Sequence, residues 1–211
     1  MAFYALTHPF GMAGNYPDTS HFFSNAANRQ ELLVAIKKQL KLEKGNDYVG
    51  EEKGDKLVAY QKITRNNFLT SLQEYATSLD QGNLEAIYTG IEQTRFNHLI
   101  EIRNSIGIYL PVFLMFPLRI SIKQHALPIF VGSTVKLQIE LAEIEINLQA
   151  KSKVKLGEIK EKFEAGEEDL EDYEAAHEGG EHFWPSFSWN LLDSVVKRSL
   201  QHKTPIFIFQ Q

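Results

Sequence analysis

The sequence contains no cysteine among its 211 residues. Disulfide bonds, cysteine-ligated zinc and thiol nucleophiles are therefore excluded, whereas metal sites built from carboxylates and histidines are not. The absence is compatible with a reducing compartment, and we expect a soluble protein of the cytoplasm.

The chain also lacks a long apolar run. An uncharged and largely apolar stretch, residues 104–118, contains Pro111 and Pro117 and is shorter than the roughly 20 apolar residues that a spanning helix needs. The N-terminus has neither a positively charged start nor a long apolar segment, so no signal peptide is predicted. A peripheral membrane contact through residues 106–118 stays open as an alternative.

Motifs of known chemistry are absent as well. We find no phosphate-binding loop, no Gly-x-Gly-x-x-Gly, no nucleophile elbow and no helix with paired zinc-binding histidines. The sequence favours a role without enzymatic activity, and we expect no cofactor. Catalytic residues assembled from distant positions would leave no such motif, so an enzyme is not excluded.

What is present is the composition of a folded protein. Hydrophobic residues make up 43% of the chain and charged residues 23%, which is enough to bury a core. We expect a single domain over residues 1–211. An irregular arm, rich in glycine, proline and aromatics, is predicted for residues 1–23, and an acidic, mobile excursion for residues 157–181.

Hydrophobic periodicity predicts an α+β fold, with N-terminal helices packed on a mostly antiparallel sheet. The order is three helices, two long strands, a C-terminal helix and a short terminal strand. The predicted bounds, in that order, are about 28–44, 56–81, 84–104, 110–124, 134–149, 188–202 and 205–209. Asn83 is expected to cap the helix that follows it. The apolar phase slips by one residue at Ala142-Glu143, which indicates a β-bulge, two separate strands or a short helix.

Charge is spread unevenly along the chain. The net charge is −5, and residues 157–211 alone hold five basic and twelve acidic side chains. A general nucleic-acid binder would show a net basic face, so we expect no nucleic-acid partner. The acidic run is interpreted as a solvated surface rather than a calcium site, because it lacks the spacing of an EF-hand loop.

Two histidines in this run suggest a metal site. His177, Glu181 and His182 are ligand types that zinc, iron or manganese accepts. The histidines are five residues apart with two glycines between them, whereas a zinc-binding helix places them four apart on one face. An acidic loop that contains two histidines is the favoured interpretation, and no metal site is predicted.

Two further groups are candidate sites. Arg95 and His98 fall on the apolar stripe of the predicted third helix, where a buried cation or imidazole could bind an anion or transfer a proton. The aromatic cluster, defined as Phe183, Trp184, Phe187 and Trp189, fits either an interface or a core.

These observations lead to one favoured function and one alternative. The favoured hypothesis is a structural or protein–protein interaction protein in a homo- or hetero-oligomeric assembly, because aromatic arms and terminal strands suit exchange between subunits. The alternative is an enzyme or small-ligand-binding protein with a dispersed site that includes Arg95, His98 or the loop from His177 to His182.

Overall fold

The structure, a computed structural model, describes residues 3–7, 25–42, 59–63, 68–102, 107–123, 125–151 and 182–210. The chain divides into two compact units. The sheet unit comprises residues 1–66, 97–138 and 195–211, and the helical unit comprises residues 67–96 and 139–194. The prediction of one domain stays a prediction.

The described residues form helices and strands in an α+β arrangement, as predicted. The helices are α1 (Ala26–Leu42), α2 (Phe68–Leu79), α3 (Leu84–Tyr88), α4 (Asn97–Ile100), α5 (Thr134–Lys151) and α6 (Phe183–His202). The strands are β1 (Phe3–Thr7), β2 (Ala59–Ile63), β3 (Gly107–Leu110), β4 (Leu118–Ile120), β5 (Ile129–Ser133) and β6 (Ile206–Gln210).

All described strands belong to one sheet in the sheet unit. Their order is β2–β1–β6–β3–β5–β4, and only the β3–β5 pair is parallel. The terminal strand β6 lies between β1 and β3, antiparallel to both, so the predicted terminal strand and the mostly antiparallel sheet are confirmed. Pairing on both sides satisfies the backbone of β6, whose side chains from Ile206 to Ile208 are buried.

The core of the sheet unit lies between α1 and one face of the sheet. Leu32, Ile36 and Leu40 recur every four residues on α1 and are buried, as the helical stripe predicted. They pack in one cluster with Ile108 of β3 and Val131 of β5. The helix begins two residues earlier than expected.

Local signals explain where several helices begin. The side chain of Asn25 accepts a hydrogen bond from the amide of Ala27, which places the start of α1 there rather than at Asn28. The side chain of Asn83 accepts from the amides of Glu85 and Ala86, which confirms the predicted cap. The C-terminal helix extends further than predicted and begins at Phe183.

The prediction of a strand over residues 134–149 is wrong, because this segment is helix α5. The buried residues Leu137, Leu141, Ile144 and Leu148 follow helical spacing. Exposed isoleucines elsewhere on the helix produced the false alternation. Ser133 caps the helix, since its Oγ accepts from the amide of Lys136 at 3.0 Å.

The second and third predicted helices are shorter than expected. Within the predicted helix over 56–81, residues 59–63 form strand β2, paired with β1, and residues 68–79 form α2. The helix predicted over 84–104 is two short helices, α3 and α4. Gly90 has a φ of +79°, a left-handed conformation that ends the helical stretch, and Ile91 is exposed instead of buried.

The long strand predicted over 110–124 is reduced to β4. Residues 111–117 connect β3 to β4 outside the sheet. Pro111 and Pro117 at the two ends of this connection lack the amide hydrogen that a central strand needs. The arm predicted over 1–23 is corrected in part, because residues 3–7 form β1. The remainder of the arm and the acidic excursion of 157–181 lie outside the described residues.

Candidate functional site

The two units carry opposite charge. The helical unit contains 19 Asp and Glu against 6 Lys and Arg, whereas the sheet unit contains 8 acidic against 16 basic residues. The net charges are therefore −13 and +8, which the overall value of −5 conceals. Such a separation gives each unit its own electrostatic field, and only the helical unit attracts a basic partner.

The described part of the helical unit already shows the excess. Eleven of its carboxylates lie within residues 158–181, outside the described residues. Among the described positions only Arg95 and Lys151 are basic. The acidic residues there are Glu74, Asp80, Glu85, Glu92, Glu140, Glu143, Glu145 and Asp193.

Arg95 joins two of these carboxylates. Its Nε lies 2.9 Å from Oδ1 of Asp80, and its NH1 nitrogen lies 3.0 Å from Oε1 of Glu143. Asp80 also accepts hydrogen bonds from the hydroxyl of Thr94 at 2.8 Å and from the amide of Arg95 at 3.1 Å. Two hydrogen bonds, in addition to the ion pair, thus hold the carboxylate of Asp80 in place. Arg95 neutralises part of the negative charge of Asp80 and Glu143.

A second group of carboxylates surrounds the short helix α3. Glu92 accepts a hydrogen bond from the amide of Asn83 at 2.8 Å, and Glu85 lies exposed in the first turn. Glu74 is exposed on α2. Glu74, Glu85 and Glu92 are therefore all exposed to solvent.

Comparison with known protein families identifies the family of this chain. A family model described as "Putative DNA-mimic protein" matches residues 34–208, most of the chain. The chain belongs to this DNA-mimic family. Searches of curated proteins and of solved structures found no match.

Membership of the DNA-mimic family corrects the favoured function and partner. The hypothesis of a structural protein in a homo- or hetero-oligomeric assembly is wrong, and the same finding corrects the expectation of a protein partner or self-association. The family description points instead to proteins that bind DNA as the partners. Within the ranges that the structure describes, no helix has the length and apolar character needed to cross a membrane.

His98 and Arg95 are separated by the division into units. Arg95 is exposed in the helical unit, whereas His98 is buried in the sheet unit. Nδ1 of His98 accepts a hydrogen bond from the amide of Ser133 at 3.0 Å. Burial lowers the pKa of His98 to about 4, and the charge of Lys136 acts in the same direction, while the backbone of Met115 opposes it. His98 is therefore neutral at physiological pH and joins α4 to β5.

The aromatic cluster lies on the first turns of α6. Phe183, Phe187 and Trp189 are buried, and Trp184 is half-buried. The rings of Phe183 and Phe187 are stacked with centroids 6.3 Å apart, and Nε1 of Trp189 donates to the carbonyl oxygen of Leu141 at 2.7 Å. This burial favours the core alternative, and an interface role stays a prediction.

The histidine-rich loop is described only at its end. His177 and Glu181 lie outside the described residues. The ring of His182 packs edge-on against Tyr75 with centroids 5.3 Å apart, and burial raises the pKa of the Tyr75 hydroxyl. No group of three His, Asp or Glu side chains that could hold a metal ion occurs among the described positions.

The carboxylates on the folded helices were not recognised as a site from the sequence. The sequence showed only an acidic run near the C-terminus, although Asp80, Glu85 and Glu92 belong to the same unit. Counting charge by unit requires the fold, because the helical unit is assembled from two separate stretches of sequence.

Proposed function

We propose that the protein binds a DNA-binding protein at the surface which that protein uses for DNA, and that it competes with DNA for this surface. The acidic helical unit would supply the contact. Membership of the DNA-mimic family carries the proposal, and the 19 carboxylates against 6 basic residues in the helical unit support it. DNA-binding proteins act inside cells, so an intracellular site of action belongs to the same proposal.

The physical basis is a shared charge pattern. Duplex DNA carries one negative charge per about 1.7 Å of its axis, and proteins recognise this charge with clusters of Lys and Arg. Carboxylates such as Glu74 and Glu85 replace phosphates as partners of those side chains. The basic sheet unit would be repelled from such a surface, so binding is assigned to the helical unit.

A competition assay tests the proposal. Fluorescently labelled DNA is bound to each of a defined panel: a helix-turn-helix repressor, a histone-like architectural protein, a DNA glycosylase and a single-stranded-DNA-binding protein. Addition of the protein is expected to lower the anisotropy of the DNA for at least one panel member, and added salt should reduce this effect.

Matched variants assign the effect to the acidic unit. Glu74→Gln with Glu85→Gln removes two exposed carboxylates from the helical unit and should weaken the competition. Lys38→Gln with Lys41→Gln removes two exposed cations from α1 of the sheet unit and should not. Absence of competition with every panel member would refute the proposed function.

A further inference from the structure

The outward face of α5 carries an exposed apolar stripe. Ile139 and Ile146 lie two helical turns apart, with the exposed Ala142 between them. Ile139 is 52% exposed and Ile146 is 72% exposed. We call Ile139, Ala142 and Ile146 the outer stripe. The opposite face of the helix supplies the buried residues that hold α5 in the helical unit: Leu141, Ile144 and Leu148.

Carboxylates lie on both sides of the outer stripe. At 100° per residue, Glu143 falls on one flank of Ile139 and Ile146, and Glu145 falls on the other. Glu143 is already joined to Arg95, and through it to Asp80. An apolar centre with a charged rim is the usual anatomy of a protein–protein interface, in which the centre supplies most of the binding energy.

Exposure of this kind needs a reason. A soluble surface helix normally places polar residues opposite its buried face, and α5 places isoleucines there instead. Neither isoleucine contributes to the buried core of its unit. Because Ile139, Ala142 and Ile146 form one apolar stripe rather than isolated side chains, this face is a candidate contact surface for another molecule.

We propose that the outer stripe is the centre of the surface that contacts the DNA-binding partner. This inference rests on the proposed function. The occupant follows from charge complementarity, because the stripe lies between Glu143 and Glu145 in a unit with a net charge of −13. DNA-contacting surfaces combine Lys and Arg with apolar side chains that meet thymine methyl groups in the major groove. On the outer stripe, the isoleucine methyl groups would contact the apolar side chains of the partner, and the carboxylates would pair with its Lys and Arg.

A second exposed apolar set provides the contrast. Phe113, Met115 and Phe116 are exposed on the connection between β3 and β4. They belong to the sheet unit, and the ammonium group of Lys136 lies 5.6 Å from the ring centroid of Phe113. A basic surface would be repelled there, so this set is not assigned to the same partner. It serves as a matched control of similar exposure.

The test uses the panel member whose DNA the wild-type protein displaces. The double variant Ile139→Ser, Ile146→Ser should weaken competition at least tenfold at every salt concentration, because apolar contacts are not screened by ions. The slope of affinity against salt should stay unchanged. Glu145→Gln should instead make that slope shallower. Met115→Ser with Phe116→Ser should change neither quantity.

Each outcome decides between the inference and the function it rests on. If the wild-type protein displaces DNA and the isoleucine variant displaces it equally well, the outer stripe is not the contact and the proposed function stands. If the wild-type protein displaces DNA from no panel member, both fail. Circular dichroism and thermal unfolding verify that the variants fold. Ile146→Lys, a further variant on the exposed face, should abolish competition through repulsion; unchanged competition by a folded I146K protein would also overturn the inference.

Discussion

Gly132 of β5 lies beside Tyr109 of the parallel strand β3, and the tyrosine ring occupies the space of the missing side chain. A Cβ atom at position 132 would lie 2.5 Å from Cδ1 of Tyr109. The ring has little freedom to move, because its hydroxyl donates to the carbonyl oxygen of His98 at 2.6 Å and it makes a T-shaped contact with the ring of Phe130. The glycine is required by this close approach.

Gly132→Ala is therefore expected to lower the free energy of unfolding by about 1–3 kcal/mol, the usual cost of overpacking a core. Urea unfolding followed by circular dichroism measures the change. Gly107→Ala is the matched control on the neighbouring strand, since a Cβ there would meet Phe130 at an ordinary 3.4 Å. Equal losses for the two variants would contradict the explanation.

The lowered pKa of His98 predicts a stability that depends on pH. The pKa falls from 6.5 to about 4 on folding because the ring is buried. Between these values the unfolded chain binds a proton that the folded protein excludes. The contribution of His98 to the free energy of unfolding should therefore be fully present above pH 6.5. It should fall as the pH decreases towards 4, by roughly 3 kcal/mol in total.

Chemical denaturation at a series of pH values measures this dependence. His98→Gln keeps an oxygen that can accept from the amide of Ser133 and should flatten the decrease between pH 6.5 and 4. His202→Gln, on the exposed last turn of α6, should show the same pH dependence of stability as the wild-type protein. A His98→Gln protein with an unchanged profile would show that other groups cause the acid sensitivity.

Helix α1, which buries one apolar face, was predicted correctly, whereas helix α5, which is apolar on two faces, was not. Leu32, Ile36 and Leu40 identified α1 because exposed lysines, Lys38 and Lys41, lie on its other side. Helix α5 was mistaken for a strand because Ile139 and Ile146 interrupt its polar face, and periodicity then fails to separate a helix from a strand. The residues that misled the prediction are those that the outer stripe now assigns to a partner.

Less of the candidate site than of the fold could be predicted from the sequence. The acidic segment near the C-terminus is visible in the sequence, whereas Arg95 and His98 were wrongly predicted to share one helix. The left-handed conformation at Gly90 ends that helix, and the division into units separates the pair. The opposite charges of the two units emerge only when distant segments are added together, which local composition does not provide.

The buried part of the aromatic cluster predicts a large effect on stability. Phe187 is 1% exposed and packs between Phe183 and Trp184. Phe187→Ala should lower the free energy of unfolding by about 3–5 kcal/mol, because it leaves a cavity in the helical unit. Phe116→Ala, at an exposed position, should change it by less than about 0.5 kcal/mol. Weakened DNA competition without loss of stability in Phe187→Ala would instead favour an interface role.

Arg95 and Arg119 form a matched pair that separates electrostatics from structure. Both are exposed and both form ion pairs, Arg95 with Asp80 and Glu143 in the helical unit, and Arg119 with Glu101 in the sheet unit. Removal of either ion pair should cost at most about 1 kcal/mol of stability, as is usual for exposed pairs. Their effects on partner binding should differ, because only Arg95 lies in the acidic unit.

Arg95→Gln leaves Asp80 and Glu143 without their neutralising partner, and Thr94 still positions Asp80. The added negative charge should tighten competition for a DNA-binding protein by about two- to fivefold at low salt, and the gain should disappear as salt is raised. Arg119→Gln should leave competition unchanged at every salt concentration. Weaker competition by a folded Arg95→Gln protein would show that the partner requires the guanidinium, and the carboxylates around Arg95 would then not act in place of phosphates.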